Sequence, residues 1–109
     1  MAYDEGVAQR LREGMQEIPG ISEKKMFGGI AFMVHGNMCV GVVKDTLMLR
    51  VGADRYNEVL KHRHVRKMDF TGKPMTGFVY VDPEGFESDA DLEHWINIAY
   101  TYVRELPSK

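Results

Sequence analysis

Between Met26 and Val51 apolar segments are joined by only two residues at a time, first Gly36-Asn37 and then Lys44-Asp45. Spacing of that kind predicts hairpin-linked strands, because Gly-Asn and Lys-Asp pairs between apolar runs are turn signals. If both dipeptides are two-residue loops, His35 pairs with Met38 and Val43 with Thr46, and the register of the whole meander follows. One face then carries Ala31, Met33, His35, Met38, Val40, Val42, Leu47, Leu49 and Val51, apolar enough to lie under helices. The other carries Ile30, Phe32, Val34, Cys39, Gly41, Val43, Thr46, Met48 and Arg50. It too is apolar for a surface in water, so either the remaining strands curl over it or a second subunit or partner docks there.

The flanks supply the helices. Asp4 is a capping residue for a helix with Val7, Leu11, Met15 and Ile18 on one side, ended by Pro19-Gly20. A short strand is expected through Glu23 to Phe27, and a second helix from Asp54 with Tyr56, Val59 and Leu60 inward. Met68 to Phe70 and Gly77 to Asp82 read as two further strands joined by Thr71-Gly72-Lys73-Pro74, with a turn at Asp82-Pro83-Glu84-Gly85. Ser88 or Asp89 caps a last helix whose Leu92, Trp95, Ile96, Ala99, Val103 and Leu106 recur as one buried stripe. The expected class is α+β, a two-layer sandwich of helices on an antiparallel sheet.

At 109 residues there is room for one domain, residues 1–109, with a core that needs no staples. Fourteen basic against sixteen acidic residues leave a formal charge of -2, which excludes a global field for polyanions. Cys39 is the single cysteine, so no internal disulfide forms and a reducing compartment fits. The start Met-Ala-Tyr-Asp-Glu-Gly lacks a basic, apolar leader, and no apolar run reaches the roughly 20 residues that cross a bilayer. The expectation is a cytoplasmic protein without membrane contact.

Candidate chemistry is thin. His62 and His64 are the closest histidine pair, but Lys61, Arg63, Arg66 and Lys67 around them repel a cation, and no metal is expected. Those four cations make the one local basic patch and the candidate for phosphate contact. Gly72-Lys73 lacks the remaining residues of a phosphate loop, and Gly28-Gly29 precedes a strand rather than a helix, so both glycine sites read as turns or bulges. The carboxylates from Asp82 to Glu93 miss the calcium-loop pattern, and Cys39 sits mid-strand away from any general-base motif. No cofactor is expected.

Read in order, Lys24-Lys25-Met26-Phe27-Gly28-Gly29-Ile30-Ala31-Phe32, Gly36-Asn37-Met38, Leu49-Arg50-Val51 and Met68-Asp69-Phe70-Thr71-Gly72-Lys73-Pro74-Met75 resemble the TfoX N-terminal domain family, also called TfoX/Sxy. The resemblance extends over nearly the whole chain. It implies the order α-β(3)-α-β(2)-α of the secretion-chaperone-like class. Named members are positive regulators of competence for DNA uptake that act with the cyclic-AMP receptor protein, so it also implies regulation by protein contact, with no catalytic residues to carry over.

The expectation is therefore a non-enzymatic, protein-interaction domain that forms a homodimer or binds a transcription regulator. Its interface is expected at Phe27, Gly28, Gly29, Phe32, Val34, Met48, Gly72, Pro74 and Met75. Direct nucleic-acid binding through Lys61, Arg63, Arg66 and Lys67 is the alternative, and a small-molecule site or enzyme comes last.

Overall fold

Asp4 opens the first helix by accepting hydrogen bonds on Oδ1 from the backbone N–H groups of Gly6, at 2.7 Å, and Val7, at 3.1 Å. In the computed structural model, which describes residues 3–26, 28–69, 72 and 74–108, that helix is α1 (Glu5–Gly14). Four strands follow, β1 (Ile21–Met26), β2 (Gly29–Val34), β3 (Asn37–Val43) and β4 (Thr46–Arg50). Then come α2 (Ala53–Val59), the hairpin β5 (Val65–Asp69) and β6 (Pro74–Val81), a 3-10 turn at Pro83–Phe86, and α3 (Asp89–Val103). The strands form one antiparallel sheet in the order β1-β2-β3-β4-β6-β5. The expected class holds, and the four strands before α2 agree with the residue reading, one more than the order implied by the resemblance, because β1 pairs fully along β2.

Helix limits follow the local chemistry. Ser88 Oγ accepts from the Asp91 N–H at 3.0 Å and starts α3, whose buried residues are Leu92, Trp95, Ile96, Ala99 and Val103. Substituting Asp4 by Ala should cost about 1 kcal/mol of stability, the usual value of an N-cap side chain, read as a lower urea midpoint with unchanged slope. Arg12 ties α1 to β1 through Glu23, with Nε–Oε2 at 2.6 Å and Nη2–Oε1 at 2.8 Å. That hydrogen bond holds the Glu23 carboxyl below its ordinary range. Its contribution is present above the unfolded carboxylate value and is lost as pH falls through the folded one.

The meander departs from expectation at its first turn. Val34 pairs with Asn37, so His35-Gly36 forms the loop, with φ of 49° and 83°. Two positive φ values suit the right-handed twist of a tight hairpin, and glycine takes the second without strain. Asn37 is drawn into β3 because its side-chain Nδ2 donates to the carbonyl of Pro107 at 2.8 Å, and it is only 3% exposed. The ladder then shifts between Phe32 and Met33: Met33 faces Met38 while Phe32 faces Val40, leaving Cys39 as the extra residue of a bulge. The second turn is as expected, with Val43 opposite Thr46.

A one-residue slip exchanges the two faces of a strand. The expected face lists are therefore corrected for β2, for Met38 and for Cys39, which was expected on the outer face and packs in the helix-side core. Ile30, Phe32 and Val34 pack beneath the helices with Val40, Val42, Leu47, Leu49, Val79, Val81 and the α1 and α3 residues. Ala31, Met33 and Met38 lie on the opposite side with Met48. The bulge keeps Val40 and Val42 where the pattern put them.

Candidate functional site

The sheet face away from the helices forms a second, smaller cluster. Ala31, Met38, Met48 and Met68 are at most 5% exposed, and Met26, Met33, Val43, Met75, Phe78 and Tyr80 pack around them, half-buried. Six of the eight methionines are thus gathered on one face, one strand or hairpin contributing each. Gly41 at its centre is closely packed on, since a Cβ there would lie 2.6 Å from the Ile30 carbonyl oxygen and 2.9 Å from Met48 Cε.

Cations border this face. Strand pairing sets Lys24 opposite Ala31, Arg50 opposite Phe78 and Arg66 opposite Tyr80. The Arg50 guanidinium lies 5.4 Å from the Phe78 ring centre and 5.8 Å from that of Tyr102. Arg66 lies 5.1 Å from the Tyr80 ring centre and grips Asp82, with Nη2–Oδ1 at 2.8 Å and Nε–Oδ1 at 3.0 Å.

The interface residues expected from sequence divide accordingly. Met48 and Met75 are on the methionine face. Phe32 and Val34 are not: they are 0% and 2% exposed beneath the helices, a direct result of the shifted turn. Phe27 lies outside the described residues, as does Lys73 of the expected loop. Gly28 is an exposed turn residue, Gly29 begins β2, and Gly72 and Pro74 are exposed at the start of the last hairpin strand. Met26, Met33, Met38, Met68, Phe78 and Tyr80 were missed as a group. The available signal was the concentration of methionine in the strand segments, which a correct first turn would have placed on one side.

The basic stretch does not form one surface. Lys61 and Arg63 sit in the exposed turn after α2, whereas Arg66 and Lys67 belong to β5, which begins earlier than expected. Lys67 pairs with Val79 on the helix side and Arg66 with Tyr80 on the methionine side. Arg66 is also neutralised by Asp82.

Elsewhere, a cleft of about 440 Å³ is bordered by His62, His64, His94, Trp95, Glu84 and Asp91. The His62 ring stands edge-on to Trp95 at 5.2 Å, and the indole N–H donates to the Gly85 carbonyl at 2.8 Å. Among the described residues no group of three or more His, Cys, Asp or Glu is arranged to hold a metal. Another cleft, about 340 Å³ between α1 and α3, is bordered by Arg10, Glu13, Asp89, Leu92, Glu93 and Ile96. Arg10 is occupied there, donating to the Phe86 carbonyl at 2.8 Å.

Burial pushes the Cys39 thiol up to about 12. The thiolate is the nucleophilic form, so Cys39 is unsuited to covalent chemistry at neutral pH. Iodoacetamide should leave it unmodified in the native protein at pH 8 and alkylate it readily in urea, as intact mass will show. Among the described residues, no helix is long and apolar enough to cross a membrane.

Fold and faces define an α+β domain with a helix-covered core and, on the other side of the sheet, a methionine-rich face bordered by cations. The family model for the TfoX N-terminal domain matches residues 13–102, and the chain belongs to that family. No curated protein and no solved structure matches it.

Proposed function

We propose that this chain is a non-enzymatic regulatory domain that acts by binding another protein through the sheet face opposite its helices. The observation that carries this reading is the gathering of Met26, Met33, Met38, Met48, Met68 and Met75 on that face. Methionine is unbranched and polarizable, repacks easily, and recurs on surfaces that adapt to a partner. Half-buried Met26, Met33, Met75, Phe78 and Tyr80 would meet the partner, and the buried residues beneath them give a firm base.

Family membership supports a regulatory role. A part in transcription regulation, as in competence for DNA uptake, rests on the resemblance to the named regulators. The expected homodimer drew in part on Phe32 and Val34; with those in the core, we take the partner to be a different protein. Direct nucleic-acid binding has less support, since Lys61, Arg63, Arg66 and Lys67 do not share a face. A cytoplasmic location goes with this reading, supported by the lone buried thiol.

Affinity capture with the tagged chain, from extracts of its source cell with and without nuclease, is the test. A retained protein that survives nuclease is the expected result. Retention abolished by nuclease, or no retained protein, would overturn the proposal.

A further inference from the structure

Acidic and basic groups both border the methionine face, and among them Lys24 and Arg50 are cations that make no ion pair among the described residues. Lys24 is exposed beside Met26, and its sequence neighbour Glu23 is turned to the helix side, where Arg12 holds it. Arg50 is held over the Phe78 and Tyr102 rings and makes no ion pair among the described residues. The carboxylate that reaches this group, Asp82, is already taken up by Arg66. A second copy meeting the same face would bring the same unpaired cations to the interface from both sides, and an excess of like charge across an interface suppresses pairing.

The edges of the sheet are guarded as well. β1 presents Glu23, Lys24 and Lys25, and β5 presents Arg66, Lys67 and Asp69. Charges along an edge oppose the addition of another strand. Docking therefore falls to the face and not to the edges.

Resting on the docking reading above, we infer that the occupant of this face is an amphipathic segment of another protein that carries Asp or Glu beside its apolar side chains. Its apolar residues pack on Met33, Met75 and Phe78, and its carboxylates reach Lys24 and Arg50. Arg50 is the better-prepared partner, because a guanidinium already fixed over rings presents its fork of donors to a carboxylate with little further ordering. Lys24 acts as a mobile point charge that steers approach.

The test is selection of random peptides displayed on phage against the full chain, followed by titration of the enriched peptides. Enriched sequences should combine carboxylates with Leu, Met, Phe or Trp, bind more weakly as salt rises, and lose about threefold or more in affinity on Lys24→Glu. With methionine methyl groups labelled for NMR, Met26, Met33 and Met75 should shift on binding while Met15, sealed beneath the helices, stays put.

Peptides without carboxylates that shift the same methyl groups and ignore Lys24→Glu would overturn the acidic-partner inference and leave the docking face standing. Sedimentation showing a dimer that excludes peptide from these methionines would make a second copy the occupant and overturn it too. Peptide binding that leaves all these methyl signals unmoved would remove both the inference and the docking reading.

Discussion

Phe32→Ala is expected to destabilise the domain by about 3–5 kcal/mol, and Met33→Ala one position further by about 1 kcal/mol or less. Phe32 is fully buried among the largest core side chains and sits under α1, with the Arg12 guanidinium 6.0 Å from its ring centre. Removing the ring leaves a cavity that backbone on both sides keeps open. Met33 is half-buried on the other face, where its flexible neighbours can close over a smaller loss.

A small domain is stable by only about 5–15 kcal/mol, so the first substitution removes a large share. At roughly 4–8 °C per kcal/mol, the melting point should fall by about 12–40 °C. The register expected from a Gly36-Asn37 turn would rank the two positions the other way, with Met33 in the main core and Phe32 outside. Urea titrations of the two variants side by side decide between them.

Gly29→Ala should be the most damaging small substitution in the meander, at about 3 kcal/mol. A Cβ at Gly29 would run into the backbone carbonyl of Val42, with the Val43 Cα only 3.0 Å away. Both belong to the neighbouring strand, and neither can move without parting β2 from β3. Gly28, next in the chain, has a different requirement: its φ is +77° and nothing lies within 4 Å of the position its Cβ would take. Asparagine tolerates that backbone, so Gly28→Asn should cost less than about 1 kcal/mol. Two adjacent glycines that look alike in sequence thus separate by conformation in one case and by strand contact in the other. Comparable losses at both would mean that the β1–β2 turn, and not the approach of β3, governs the pair.

The parts of this fold that were legible share a local cause. Asp4 and Ser88 announce the helices that their side chains cap, and the α3 stripe is periodic over its full length. Lys44-Asp45 forms the second turn as read. The first turn was not legible because Gly36 can serve either His35-Gly36 or Gly36-Asn37, and the deciding contact is remote. Asn37 is held in the strand by the Pro107 carbonyl, 70 residues away along the chain.

The Cys39 bulge is equally non-local, set by which residues of β2 must lie under α1 and α3. The consequence reached the site. A second apolar face with Met48 in it was anticipated, but Phe32 and Val34 were assigned to the wrong side and Met33 and Met38 to the core. For the basic stretch, the four cations were visible and the partner of Arg66 was not, because Asp82 comes from the next strand's end.

Two faces with separate duties, one folding the domain and one receiving a partner, are the centre of this description. Met33→Glu puts a charge on the second face at a half-buried position and leaves the first untouched. The most direct measurement pairs a thermal melt of this variant with affinity capture from the same extract used for the wild type. The expected result is a cooperative melt within several degrees of wild type together with loss of the captured protein. Undiminished capture by the folded variant would contradict it.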